Sequence, residues 1–330
     1  MPESLAGLGE AELIRRIAHF APAGQLSDDT ACLTPDPRPL LLNTDVLVDG
    51  VHFSDITTPA VDVGWRAVAA NLSDLAASGA EHIDGITVAL VAPGNTPWTW
   101  VEGVYQGITA ALNQFGGTVL GGDCSSGQQR LLSITALGRL GRLRLHRSDA
   151  QPGDALVTSG PHGLSRLGLA LLQNDPSLNH SALSETLQQR SIERHQRPIP
   201  RFDALQTLLQ CKPTELPWRV GGTDSSDGLL AAVQALCSSS NCGAILQEEH
   251  LPRHRDWPKG NRWRDWCLAG GEDFELVLSL PADWASAWLQ ILPDSCHIGT
   301  MTNNPGKITW EETQLPLKTV GYDHFKSITT

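Results

Sequence analysis

Lysine is scarce in this chain. None occurs before Lys212, and the 330 residues contain only five. No GxxxxGK[ST] phosphate loop and no protein-kinase VAIK strand are present. Any bound phosphate must therefore be neutralised by metal ions, arginine or backbone N–H groups. His52, His162, His195 and His297 are scattered, without HExxH or any paired ligand spacing, which argues against a zinc hydrolase. GxSxG is missing too, weakening a serine-hydrolase reading. No apolar run approaches the roughly 20 residues of a membrane span, so no membrane partner is expected. The first twenty residues are broken by Glu10, Glu12, Arg15 and Arg16 and do not read as a signal peptide. The seven cysteines form no CxxC pair, so free thiols in a reducing cytoplasm are expected, without cysteine-bound zinc. Positive charge is short as well: 24 Lys plus Arg face 36 Asp plus Glu, a formal charge of −12. A general nucleic-acid binder needs a basic face, so none is expected here.

What is present is an ordinary globular composition, 41% hydrophobic and 18% charged. At about 100–200 residues per domain, two domains are expected. The basic tract RLGRLRLHRSDAQPGD (139–154) ends in a Pro-Gly turn, which puts the boundary near residue 148 and gives domains of 1–148 and 149–330. Helices and strands alternate in both halves, an α/β (α+β) class. Residues 10–19 read as a helix, with Leu13, Ile14 and Ile17 on one face. Strands are expected at 40–42 and 46–53, around a polar break at Asn43-Thr44-Asp45. The clearest helix runs over 62–78, capped by Asp62, with Trp65, Val68, Ala69, Leu72, Leu75 and Ala76 as its buried stripe. Beyond it come strands at 86–91, 118–120 and 131–140 and a helix near 100–115. The second half adds strands at 154–159 and 244–247, helices at 163–173 and 202–209, and a helix running from GGTDSSDGLL to Cys237. GGEDFELVLSLP (270–281) reads as a turn feeding a strand, whereas 174–190 is polar and weakly patterned.

Acidic residues cluster beside Gly, Ser and Thr at the expected junctions: Ser27-Asp28-Asp29-Thr30, Asn43-Thr44-Asp45, Gly121-Gly122-Asp123, Asp224-Ser225-Ser226-Asp227-Gly228 and Gly270-Gly271-Glu272-Asp273. Turns and helix caps use these residue types anyway, which accounts for any one site. Five in one chain suggest carboxylates that converge at strand ends. Converging carboxylates repel unless a cation sits between them. Mg²⁺ takes oxygen ligands and is usually held by one or two carboxylates plus substrate phosphates, so a polyphosphate ligand held by magnesium is expected. On helix 62–78, Asn71, Asp74 and Ser78 form a polar stripe at i, i+3, i+7. Such a stripe is usually a solvent face. Its neighbours here are Ala67, Ala70 and Ala77 rather than Lys or Glu, which suits a buried polar pocket and makes Asp74 a candidate ligand. Packing is the default role for most of the ten tryptophans.

The motifs, taken in order, resemble the thiamine-monophosphate kinase family of the aminoimidazole-ribonucleotide-synthetase-like superfamily. They are SDDTACL (27–33), NTDVLVDGVHF (43–53), GWRAVAANLSDLAASGA (64–80), GGDCSSG (121–127), RSDAQPGD (147–154), ERHQRPIPR (193–201), DSSDGL (224–229), GGEDFEL (270–276) and GYDHF (321–325). The resemblance implies two α/β domains, with the N-terminal domains pairing in a homodimer that builds a β-barrel across the interface. It implies direct transfer of the γ-phosphoryl group of ATP to thiamine monophosphate on several Mg²⁺ ions. Carried over residue by residue, it makes Asp29, Thr44, Asp45, Asp74, Asp123, Asp224 and Asp227 metal ligands, with Asp28 a lesser candidate. Tyr105, Gly122, Arg147 and Ser226 become ATP contacts, and His52, Glu272 and Tyr322 the thiamine-phosphate side. No residue is implied as a catalytic base. Two departures are visible: Ser27 stands where the family usually has Gly, and Tyr322 where relatives often have Trp. The alternative reading keeps the fold and changes the acceptor, as in ATP-dependent synthetases of the same superfamily; a nucleotide-binding scaffold without turnover is a third.

Overall fold

The structure, a computed structural model, describes residues 3–317. The described residues fall into two compact units: 3–76, 80–142 and 196–198 form the first, and 77–79, 143–195 and 199–317 the second.

The first unit begins with helices α1 (Leu5–Leu8) and α2 (Glu10–Ile17) and continues through strand β1 (Leu40–Val48), α3 (Ala60–Ala77), β2 (Ala80–Ala92), α4 (Trp98–Phe115), β3 (Thr118–Ser126) and β4 (Leu131–Leu140). The strands form one open sheet in the order β1-β4-β2-β3; β2 and β3 run parallel and the other pairs antiparallel. In β4, buried Leu132, Ile134 and Ala136 alternate with half-buried Ser133 and Thr135, the pattern of a sheet with one covered face. Helix α3 buries Val68, Leu72 and Leu75. It lies so close to α4 that a Cβ on Gly64 would sit 1.9 Å from the Val104 carbonyl oxygen, and one on Gly107 1.8 Å from that of Val61. Two glycines thus set how closely these helices approach.

Several elements differ from the sequence reading. Residues 43–45 do not break a strand: β1 runs unbroken from Leu40 to Val48. Asn43 and the Asp45 N–H bond to α3 and Thr44 to Thr135 on β4, so their polarity marks neighbours rather than a turn. Gly121-Gly122-Asp123 is likewise no junction but lies inside β3. Asp62 does not cap α3; it sits in the first turn and accepts a hydrogen bond from Arg197 Nε. Ile14 lies on the exposed side of α2, while Leu13 and Ile17 are buried.

The second unit contains β5 (Ala155–Thr158), α5 (Leu164–Leu172), α6 (Glu185–Gln196), α7 (Phe202–Gln210), β6 (Gly221–Asp224), α8 (Leu229–Ser239), β7 (Gly243–Leu246), α9 (Asn261–Ala269), β8 (Leu276–Leu280), α10 (Ala282–Ile291), β9 (Cys296–Thr302) and β10 (Ile308–Trp310). Its sheet has the order β10-β7-β9-β5-β8-β6. Every residue of β5, β6 and β8 is buried, as expected for strands covered on both faces. On one face α8 and α9 pack Leu229, Val233, Leu236 and Leu268 against Leu156, Val277 and Ile298. On the other, α7 and α10 pack Leu205, Leu208, Trp284 and Trp288 against Val157, Leu276 and Leu278. The indole N–H groups of Trp284 and Trp288 donate to the Leu208 and Ala204 carbonyls at 2.9 and 3.0 Å, so both rings are fully buried at no hydrogen-bonding cost. Within the polar stretch 174–190, α6 begins at Glu185.

Candidate active site

In the first unit the candidate residues gather where β1 lies against α3. Asn71 is fully buried, and its Oδ1 accepts from Asn43 Nδ2 and from the backbone N–H of Asp45, both at 3.1 Å. Asn43 Nδ2 also donates to Asp74 Oδ2 at 3.0 Å. The polar stripe of α3 therefore faces the strand, where Asn71 orients the backbone of Asp45 and Asn43 the carboxylate of Asp74. Thr44 points to the other face of β1, its hydroxyl 2.8 Å from that of Thr135. Asp28 and Asp29 are exposed, with the Asp29 N–H donating to Asp28 Oδ1 at 2.8 Å. Gln25, just before them, donates to the Leu120 carbonyl at 2.9 Å and ties this segment to β3. Gly122 and Asp123 are exposed on that strand. A Cβ on Gly122 would meet the Val88 carbonyl oxygen at 2.1 Å, so close strand approach alone demands glycine there.

His52 occupies the turn after β1, where its Nδ1 accepts the Val48 N–H at 3.0 Å. The neutral ring then carries its proton on Nε2. Arg130, just before β4, braces this turn through Asp49 at 2.6 Å and Asp55 at 2.8 Å. Tyr105 is only 2% exposed, with its ring 5.6 Å from that of Phe20. Burial pushes its phenol well above the ordinary range. Its ring thus packs in the interior of the first unit.

In the second unit two loops form one assembly. Asp224 ends β6 in a buried position, and Ser226 Oγ donates to its Oδ1 at 3.2 Å. Asp227 is exposed just before α8, where the positive end of the helix dipole favours a carboxylate. Arg147 is exposed and anchored beside the same strand by Nε, which donates to Thr223 Oγ1 at 3.0 Å. The 270–275 loop is bound to this one twice: the Glu272 N–H donates to the Ser226 carbonyl at 2.7 Å, and the Glu275 N–H to Ser225 Oγ at 3.1 Å. Glu272 and Phe274 both hold positive φ, +67° and +54°. Each such non-glycine position costs on the order of 1–3 kcal/mol and persists only where the surroundings over-determine it.

Sequence reasoning passed over the residues that supply this determination. Glu275 is 1% exposed; Ser159 Oγ donates to its carboxylate at 2.5 Å, Arg194 Nη2 at 3.0 Å, and Arg201 Nη1 also donates. Burial alone would lower the Arg201 pKa, but Glu275 and Asp203 outweigh it and raise it. Asp273 is buried, and its carboxylate accepts the N–H groups of Gly163 at 2.6 Å and Ser165 at 3.0 Å, at the start of α5. Their signal was Asp273 and Glu275 abutting the apolar run of β8, since a charge there needs a buried partner. A cavity of about 580 Å³ lies along α6, lined by Glu185, Arg190, Glu193, Arg194 and Ile199; none of the sequence-derived candidates lines it. Tyr322 lies outside the described residues.

Among the described residues no three His, Cys, Asp or Glu side chains come together as a ready-made metal cluster. The donor chemistry nevertheless suits Mg²⁺. The candidates offer carboxylate and hydroxyl oxygens only, two of the carboxylates are already oriented by Asn43 and Ser226, and Mg²⁺ needs only one or two protein carboxylates.

Comparison with known proteins gives consistent matches along the chain. Residues 27–140 match the AIR synthase related protein N-terminal domain, and 151–311 match the AIR synthase related protein C-terminal domain. A thiamine-monophosphate kinase of Prochlorococcus marinus is 54% identical, with the match covering 98% of each chain. The crystal structure of thiamine-monophosphate kinase from Stenotrophomonas maltophilia K279a superposes with a TM-score of 0.77 at 31% identity, covering 92% of this chain and 96% of that one. A structure of AaThiL complexed with AMPPCP and TMP has a TM-score of 0.75 at 28% identity, covering 96% and 97%.

Asp273 generates a pH prediction. Burial pushes its carboxyl from the ordinary 3.8 up to about 7, against the pull of its two N–H donors. Below 3.8 the folded and unfolded chains both hold the proton. Between 3.8 and about 7 only the folded chain does, so stability falls as pH rises through that window and levels off above it. Asp273→Asn removes this titration. Urea unfolding of both proteins from pH 4 to 8 is expected to show the wild type losing stability relative to the variant up to about pH 7; a pH-independent difference would contradict the assignment.

Proposed function

The chain belongs to the thiamine-monophosphate kinase family, and we propose that it transfers the γ-phosphoryl group of ATP to thiamine monophosphate, giving thiamine diphosphate and ADP. It is a phosphotransferase of thiamine diphosphate biosynthesis. The observation that carries this reading is the 54% identity running over 98% of both chains. The complex of AaThiL with AMPPCP and TMP supports the same pair of substrates.

Phosphoryl transfer asks little covalent chemistry of a protein and much positioning and charge neutralisation. Donor and acceptor are both anions, and two unit charges about 4 Å apart repel by roughly 4 kcal/mol at an effective dielectric near 20. Mg²⁺, when bound, offsets that repulsion and orients the phosphate oxygens. We assign its ligation to Asp29, Thr44, Asp45, Asp74 and Asp123 in the first unit and to Asp224 and Asp227 in the second. Asn71 and Asn43 prepare Asp45 and Asp74 for this by fixing backbone and carboxylate before any ligand arrives. Arg147, held at Nε, presents the rest of its guanidinium to ATP phosphate oxygens, a charge-assisted contact. Tyr105, Ser226 and the backbone of Gly122 are assigned to the remaining nucleotide contacts. His52 donates from Nε2 to the acceptor phosphate, and the Glu272 carboxylate suits the cationic thiamine. No protein base is needed, since a phosphate monoester, whose second pKa is near 6, is already deprotonated at neutral pH.

The quaternary proposal is a homodimer built on the first unit, with the two sheets completing a barrel. Its support is apolar exposure on edge strand β1. Leu40, Leu42 and Val46 face outward, Leu42 at 62%, on a strand with one unpaired edge. No helix among the described residues is long and apolar enough to cross a membrane.

Two outcomes test these assignments. Asp45→Asn is expected to lower the rate of thiamine diphosphate formation by about 10²–10³-fold while circular dichroism stays that of the wild type; a near-normal rate removes Asp45 from the metal site. Leu42→Glu is expected to shift the protein from dimer toward monomer in sedimentation velocity. A wild type that sediments as a monomer contradicts the dimer outright.

A further inference from the structure

The last full turn of α6 holds both ends of the strained segment 272–275. Arg194 Nη2 donates to Glu275 Oε1 at 3.0 Å, and the next residue, His195, brings Nδ1 within 3.9 Å of Glu272 Oε2. His195 is 2% exposed, so its ring is fixed by packing. Its Nδ1 is also 3.2 Å from Ser165 Oγ. The Ser165 backbone N–H, in turn, donates to Asp273 Oδ1 at 3.0 Å, and Asp273 is covalently next to Glu272. These contacts close a ring: Glu272 carboxylate, His195, Ser165, Asp273 and back to Glu272.

From this ring we infer that His195 is a positioning residue for Glu272 and thereby sets affinity for the thiamine-bearing acceptor. The inference rests on the proposed assignment of Glu272 to that side. Glu272 has a side chain with three rotatable bonds, one-third exposed. Unheld, it would sample several directions and lose that freedom on binding substrate. The approach of His195 at 3.9 Å, an ion-pair distance, narrows the directions of the carboxylate, and the N–H bond to the Ser226 carbonyl fixes the backbone that carries it. Contacts made equally in the ground state and the transition state appear in KM and not in kcat. The contacts described for His195 lead to Ser165 and Glu272, so the ATP KM is expected to be independent of it.

The test is steady-state kinetics on the full chain, with the KM for thiamine monophosphate, the KM for ATP and kcat measured separately. His195→Leu is expected to raise the KM for thiamine monophosphate about tenfold, with kcat and the ATP KM within about twofold of wild type. His195→Asn, whose amide nitrogen occupies the place of Nδ1, is expected to restore most of that affinity. Combined with Glu272→Gln, the His195→Leu change is expected to add nothing further. An unchanged acceptor KM in a folded His195→Leu protein overturns the inference, as does equal loss in the Asn and Leu variants. Should the leucine variant fail to fold, Ser165→Ala removes the hydroxyl contact to His195 and keeps the N–H bond to Asp273. A raised acceptor KM there supports the ring and an unchanged one overturns it. A wild type that makes no thiamine diphosphate refutes the functional reading itself, which is a different result from a working enzyme whose variants keep their acceptor KM.

Discussion

The second unit depends on one buried ion pair, Glu275 with Arg201. Glu275 carries its charge into a site with 1% exposure, and Arg201 is itself buried. Desolvating both groups is costly, and removing one partner of such a pair typically costs about 3–5 kcal/mol. The site tolerates it because the carboxylate accepts from three donors, on Ser159, Arg194 and Arg201. Ser159 donates its hydroxyl to Glu275 while accepting the Leu276 N–H, and Arg201 also donates to the Ser159 carbonyl and to Asp203. The pair ties the end of β5, the start of α7 and the entry to β8 to one point. The strained loop carrying Glu272 begins there, so its geometry follows from the ion pair rather than from local propensity.

The first unit solves its positioning problem with neutral groups instead. A single buried asparagine on α3 serves the backbone of Asp45, and Asn43 reaches from β1 to both Asn71 and Asp74. Amides are the economical choice beside a cluster of candidate ligands. They orient carboxylates without adding charge of either sign, so the negative potential that would attract a cation is left intact. The contrast also explains the scarcity of lysine. Flexible ammonium groups near these carboxylates would compete with metal ions for the same oxygens, whereas Arg147, anchored through Thr223, is directed elsewhere.

Much of this was readable in the chain and some was not, for physical reasons. The apolar stripe of α3 and the alternation in β4 arise from burial on one face, which periodicity reports directly. The polar residues 43–45 looked like a break because their partners are distant in sequence, on α3 for Asn43 and the Asp45 N–H and on β4 for Thr44. Gly121-Gly122 looked like a turn, yet the glycine at 122 answers to the carbonyl of Val88 across the sheet. Helix α6 was hidden because it buries only Leu187, Ser191 and His195, too few for a clear period. Among site residues, the carboxylates were visible through their glycine and serine neighbours. Arg194, His195, Arg201 and Glu275 were not singled out, because what they do depends on contacts between segments distant in sequence.

Direct phosphoryl transfer between two phosphates is the task assigned to these carboxylates and loops. Quantifying both products from purified protein supplied with ATP, Mg²⁺ and thiamine monophosphate decides it. Thiamine diphosphate and ADP are expected to appear one for one. ADP and inorganic phosphate without thiamine diphosphate would contradict it and move the acceptor to another small molecule.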